Sequence, residues 1–190
     1  VPGAEELYIA RHEVSYAQWH RVYDWAVRNQ WGLHPGYCFE HDGDMGSMAL
    51  LNGSYDATHP ATAMTWHDAA VWCNALSELE GLRPAYYGDE GLGEVLRSAY
   101  GREGKESARR RPTVHVDWTA EGYRLPTAGE FVLAAAQARR DKAWVGQRAE
   151  GRTRPAGRGA GDFIGNVWEW VWSAPGPKAS GPEQVMGGDF

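Results

Sequence analysis

Residues 122–131 read Gly-Tyr-Arg-Leu-Pro-Thr-Ala-Gly-Glu-Phe, and residues 165–170 read Gly-Asn-Val-Trp-Glu-Trp. In the first stretch, Thr127 followed by Glu130 is a capping box. The hydroxyl satisfies a free backbone N–H at the helix start, and the carboxylate reaches back to the cap. Pro126 sits just before that cap. Phe131, Ala134, Ala135 and Ala138 then recur on one helical face, and the small alanines predict close approach to a neighbouring element. In the second stretch the period changes to two. From Val167 to Trp172, alternation puts Trp168, Trp170 and Trp172 on one side and Val167, Glu169 and Val171 on the other. Large side chains on both sides predict a central strand, with Trp168 and Trp170 packed in the core.

Working outward, the same start signal recurs twice. Ser15 with Gln18 opens a helix whose face is Trp19, Val22, Tyr23, Ala26 and Val27. Thr65 with Asp68 opens another, with the stripe Ala69, Trp72, Cys73 and Leu76, stopped by Gly81 and Pro84. Short strands are predicted at Leu7–Ile9, Ala61–Met64, Ala85–Tyr87 and Val114–Val116. Long irregular stretches separate them at 33–60, 88–113 and 139–161. No repeat and no linker between two cores is visible. The reading is one α+β domain over 1–190, with about three helices, a small antiparallel sheet and much ordered loop.

Composition agrees with a globular protein. The chain has 190 residues, 43% hydrophobic and 23% charged. Ten tryptophans and 24 glycines against four phenylalanines predict irregular segments pinned by large rings rather than a helix bundle. No apolar run is long enough to span a membrane. Nineteen basic and 25 acidic residues give a net charge of −6, which argues against general electrostatic binding of nucleic acid. No signal-peptide pattern is visible from Val1 onward, and the compartment stays unassigned. Cys38 and Cys73 can form one bridge or stand as two thiols. Thiols are favoured, because Cys73 lies in an apolar helical stripe.

The common catalytic and metal motifs are missing. There is no Walker loop, no dinucleotide fingerprint, no HExxH, no CxxC and no GxSxG. The seven histidines show no zinc spacing. Asp42-Gly43-Asp44 lacks the rest of a calcium loop and reads as a turn. Arg109 to Arg111 read as a solvated segment, and Asn52-Gly53-Ser54 is a weak glycosylation triplet.

Several segments carry more meaning together: Glu13-Val14-Ser15, Trp66 to Leu76 (WHDAAVWCNAL), Pro84-Ala85-Tyr86-Tyr87, Gly122 to Thr127 with Glu130-Phe131, Gly165 to Trp170, and Gly187-Gly188. In order and spacing the chain resembles the formylglycine-generating enzyme (sulfatase-modifying factor) domain family, from about residue 7 to the end. The resemblance implies a variant of the C-type lectin-like fold. Within the family, the chain is most similar in flavour to variable proteins of diversity-generating retroelements.

The catalytic members oxidise a substrate cysteine to formylglycine using oxygen and copper held by two cysteines. Those cysteines follow a GG[ST][FW] motif, which here reads Gly187-Gly188-Asp189-Phe190 and ends the chain. Cys38 and Cys73 do not match their positions. Copper(I) wants soft thiolates, so copper is not expected. The domain is expected to lack the family's last C-terminal segment. The resemblance also implies a structural calcium, with the side chains of Asp162 and Glu169 and the carbonyls of Gly165 and Val167 as ligands. Carboxylates flanking a glycine turn suit that ion. A second calcium site within 141–158 is expected to be missing.

The function expected is therefore a non-catalytic module binding a protein or peptide ligand, with Trp172, Asp189 and Phe190 as ligand-binding residues by resemblance. The alternative is a truncated part of a copper-dependent formylglycine-generating oxidase whose cysteines lie beyond Phe190. An iron-dependent sulfoxide-synthase relative lacks its helical partner domain here. A calcium-dependent sugar lectin lacks its acidic-Pro-Asn loop.

Overall fold

A computed structural model describes residues 8–28, 36–46, 56–100, 111–137, 143–145, 152–157, 163–173 and 184–188. Helix α1 spans Tyr16–Arg28, α2 spans Trp66–Leu79 and α3 spans Ala128–Gln137. All three predicted capping boxes form. Ser15 N–H donates to Gln18 Oε1 at 3.0 Å and Gln18 N–H donates back to Ser15 Oγ at 3.3 Å. Thr65 N–H donates to Asp68 Oδ2 at 3.0 Å and Asp68 N–H to Thr65 Oγ1 at 3.1 Å. Thr127 N–H donates to Glu130 Oε2 at 2.7 Å and Glu130 N–H to Thr127 Oγ1 at 3.2 Å. Each box satisfies helix-end donors that would otherwise go unpaired, worth about 1 kcal/mol or so per cap.

Among the described residues the strands form three antiparallel ribbons. Strand β1 (Asp44–Met45) pairs with β2 (Ala61–Thr62), β3 (Tyr86–Tyr87) with β4 (His115–Val116), and β5 (Trp168–Val171) with β6 (Gln184–Gly187). The predicted strand from Ala61 stops at Thr62, because Ala63 turns into positive φ at 56°. Tyr8 and Ile9 are not in a strand. The prediction of a central strand at 167–172 is corrected. Among the described residues, strand β5 has one ladder partner, β6, and then a single parallel bridge from Trp172 to Thr127. Strand β6, Gln-Val-Met-Gly, carries no alternation and was not legible as a strand.

Helix α2 is central. It buries the predicted stripe residues Ala69, Trp72 and Cys73, and also His67, Asp68, Asn74 and Ser77 on its other sides. Trp72 stacks on Trp19 of α1 at 5.5 Å with planes 2° apart. Toward the other end, Trp66 lies 5.1 Å from Trp172, and Tyr86 lies 6.0 Å from the same ring. Such aromatic pairs contribute about 0.5–1.5 kcal/mol beyond their area burial.

The indole N–H groups then tie irregular chain to this core. Trp19 Nε1 donates to the Asp42 carbonyl at 2.7 Å, Trp72 to Trp19 at 3.0 Å, Trp66 to Val171 at 3.2 Å and Trp170 to Met64 at 3.1 Å. Gly43 permits the first of these. A Cβ there would lie 2.9 Å from Trp19 Nε1, and its φ is +82°. Asn74 does similar work from within α2. Its Nδ2 donates to the carbonyls of Tyr86 (2.8 Å) and Leu96 (2.9 Å), and its Oδ1 accepts from Tyr86 N–H at 3.0 Å.

Candidate functional site

Of the residues singled out by sequence, Gly165, Val167, Glu169 and Trp172 lie on strand β5, at its end or in the turn that feeds it. Gly165 has φ +91°, and a Cβ there would fall 2.3 Å from the Trp144 carbonyl oxygen. Asn166 follows in the left-handed region at φ 65°. Its N–H donates to that Trp144 carbonyl at 3.0 Å. Its side chain is fully buried: Oδ1 accepts from Arg154 N–H at 2.8 Å, and Nδ2 donates to Glu13 Oε1 at 3.1 Å and to the Arg154 carbonyl at 3.3 Å. The turn is thereby locked to the chain before α1 and to the loop at 152–157. Short polar side chains visit this conformation most readily.

Beyond the turn, the Val167 carbonyl accepts from Gly188 N–H at 3.0 Å. Glu169 is half-buried and sits opposite Met186 in the ladder. Its Oε1 is 3.5 Å from where a Cβ of Gly187 would stand, beside the Phe131 ring. Of the expected calcium ligands, Gly165, Val167 and Glu169 follow one another along the turn and into β5. Asp162 lies outside the described residues. The donors that are described, one carboxylate and two peptide carbonyls, have the hard-oxygen chemistry calcium takes. Val167 keeps a second lone pair beyond the one Gly188 uses.

The tryptophans of this segment divide by depth. Trp172 is 4% exposed and packs against Trp66, Tyr86 and Trp118. Its N–H donates to the Pro126 carbonyl at 2.8 Å, and its carbonyl accepts from Ala128 N–H at 2.9 Å, which joins the ribbon to the start of α3. Its indole Nε1 has no hydrogen-bond partner among the described residues. Trp170 is half-buried. Trp168 is 56% exposed, which corrects the expectation that it packs in the core. Trp170 faces Val185 across the ladder, and Val185 is itself exposed. Trp168, Trp170 and Val185 thus make one apolar face. Alternation placed the rings on one side correctly. It could not say that the core ends partway along the strand. Asp189 and Phe190, also expected at a binding surface, lie outside the described residues.

Next to this ribbon, Arg124 holds Glu130 with two hydrogen bonds of 2.8 and 2.7 Å and lies 5.1 Å over the Trp118 ring. Burial would raise the Glu130 carboxyl, but Arg124 and the Thr127 amide outweigh it and hold it below the ordinary carboxylate range. Both cysteines are free thiols, Cys38 exposed and Cys73 buried. Burial pushes the Cys73 thiol up to about 12, so at neutral pH it is protonated. The protonated thiol is a poor nucleophile.

With short ribbons, a central capped helix and loops pinned by indoles, this is a C-type lectin-like fold of the formylglycine-generating type. The chain belongs to the sulfatase-modifying factor enzyme 1-like domain family, whose sequence profile matches residues 3–161. The fold is similar to the crystal structure of CarF, with a TM-score of 0.67 and 23% identity over 95% of this chain and 74% of that one. It is also similar to Treponema denticola variable protein 1, with a TM-score of 0.54 and 20% identity over 90% of this chain and 63% of that one. Among curated proteins it resembles the chaperone protein LppX of Paenibacillus barcinonensis, 26% identical over 203 aligned positions. That alignment covers 88% of this chain and 62% of LppX, so the chain spans less than two thirds of that relative's length. No helix among the described residues is long and apolar enough to cross a membrane.

Proposed function

We propose that this domain is a non-catalytic module that binds a protein or peptide through the Trp168–Trp170–Val185 face of its β5–β6 ribbon. The carrying observation is Trp168: a large ring, 56% exposed, on a ribbon anchored to the core by Trp172 and Trp170. Exposed tryptophans on rigid supports are the usual anchors of protein interfaces. Trp172 serves as the buried footing of that face. A protein ligand is also in keeping with the chaperone name of the relative LppX.

The test is selection of binders from a displayed peptide library on the full chain, followed by affinity measurement with Trp168→Ala. Because the ring is exposed, the variant should keep the parent's melting temperature. Loss of an anchor Trp should weaken binding by about 2 kcal/mol, roughly 30-fold. An unchanged affinity, or turnover of a cysteine peptide to formylglycine by the copper-loaded chain, refutes the proposal.

Calcium is proposed as a structural ion at the Gly165–Glu169 turn, held by the Glu169 carboxylate, the carbonyls of Gly165 and Val167, and Asp162. It would neutralise a half-buried carboxylate and stiffen the base of the ribbon. At a concentration about 100 times the dissociation constant it should add about 2.7 kcal/mol. For a domain of this size that raises the melting temperature by about 5–10 °C relative to EDTA. Glu169→Gln should abolish the increment, and a parent that melts identically in calcium and EDTA excludes the site.

A further inference from the structure

Away from the ribbon, three metal-ligating side chains meet at the start of α2. One ligand atom each from Glu40, His41 and Asp68 lies within 4.8 Å of the others. We propose that Glu40, His41 and Asp68 form a binding site for a divalent transition-metal ion of the zinc class.

The anchor is Asp68, fully buried in the first turn of α2. Its Oδ2 is held by Thr65 N–H at 3.0 Å and by the Thr65 hydroxyl at 2.8 Å, and its Oδ1 accepts from Glu40 N–H at 2.6 Å. That last bond fixes the backbone of 40–41 directly over the carboxylate. The side chains of both neighbours are thereby delivered to it. His41 Nδ1 stands 3.2 Å from Asp68 Oδ2. Two ligands on a tetrahedral zinc, each about 2.0–2.2 Å from the metal, sit about 3.4 Å apart. This 3.2 Å contact is a hydrogen bond, so its separation is close to the one a shared metal needs, and the metal takes the place of the proton between the two groups. Glu40 is exposed and can close the remaining distance by rotation of its side chain.

The charge around the cluster favours a cation. Burial first, and then the charges of Asp42, Asp24 and Asp68, hold the Tyr23 phenol above its ordinary range. Burial, then Cys38, Asp68 and Glu40, do the same to Tyr100. Against this, Arg111 holds Glu40 Oε2 at 3.0 Å. Both partners of that pair are partly exposed, so it is weak and can yield to a metal. On binding, His41 gives Nδ1 to the metal in place of its bond to Asp68.

The sequence concealed this site. Glu40 and His41 are adjacent, and Asp68 is 27 residues on with an evident role as a cap. Spacing rules for zinc do not reach a triad assembled by a loop folding over a helix start.

The experiment is calorimetric titration of the metal-free full chain with zinc chloride, with cobalt chloride added in parallel to read visible d–d absorption. The parent should bind one equivalent. His41→Ala and Glu40→Gln should each weaken binding about tenfold or more, with circular dichroism and melting temperature unchanged because both side chains are exposed. Arg111→Ala should tighten it by freeing Glu40. Absence of binding by the parent, or parental affinity in folded His41→Ala, overturns the proposal.

Discussion

Replacing Asn74 by alanine should be among the most damaging single polar changes in this molecule. Asn74 is fully buried in α2 and bonds three backbone groups of two other segments. The Tyr86 carbonyl would keep a partner, since it also accepts from Leu96 N–H at 3.0 Å. Tyr86 N–H and the Leu96 carbonyl would lose the bonds Asn74 gives them. Each buried group left unpaired costs about 1–3 kcal/mol, so the pair costs about 2–6 kcal/mol, with about 4 as the central figure. That is a large share of the roughly 5–15 kcal/mol that holds a domain together. With a urea m-value of about 2–3 kcal/mol/M, the central figure lowers the unfolding midpoint by about 1.3–2 M at unchanged slope.

Asn74→Asp refines the test. It keeps the volume and the acceptor for Tyr86 N–H, but turns the second oxygen toward two carbonyls that now sit at 2.8 and 2.9 Å from Nδ2. A carboxylate there is both desolvated and repelled, so its folded pKa rises above the unfolded value of about 3.9. The folded state then binds more protons than the unfolded state. The variant's deficit relative to the parent should therefore be smallest near pH 4 and grow as pH rises toward 7. A loss below about 1 kcal/mol for Asn74→Ala, against the range expected for an orphaned buried pair, would refute the clamp. So would a deficit for Asn74→Asp that does not vary with pH.

The same linkage with opposite sign applies to Glu130. Its folded pKa is depressed by Arg124 and Thr127, against burial. Its contribution is therefore complete above the unfolded value, about 4.3, and lost as pH falls through the folded one. Glu130→Gln should flatten the fall in stability below about pH 4.3, measured by urea titrations across pH; a parent-like slope would count against the Arg124 pairing. Gly165→Ala should cost about 2–5 kcal/mol, adding about 1–2 for left-handed backbone and about 1–3 for overpacking against the Trp144 carbonyl. Thermal melts read it directly, and a shift under about 2 °C would contradict the geometry of this turn, since a kcal/mol is worth about 2–4 °C in a domain of this size.

Much of the architecture was written in local chemistry. Ser15, Thr65 and Thr127 with their partners three residues on marked the starts of α1, α2 and α3, because a capping box is satisfied within one turn. The alternation from Val167 fixed which rings share a side of β5, since that follows from strand geometry alone. The family resemblance also rested on contiguous motifs, and the profile match over residues 3–161 upholds it.

What lay beyond the sequence is everything that depends on where the core stops and which distant segment arrives. Trp168, Trp170 and Trp172 are chemically identical and equally spaced, yet they run from exposed to buried as β5 enters the molecule. Asn74 is one unremarkable amide until Tyr86 and Leu96 fold against it. Asn166 reaches Glu13 across 153 residues, and Asp68 gathers Glu40 and His41 because a loop crosses its helix start. Period and capping are interactions within a few residues, so one dimension records them. Depth of burial and long-range polar pairing are set by the packed whole, so only three dimensions decide them.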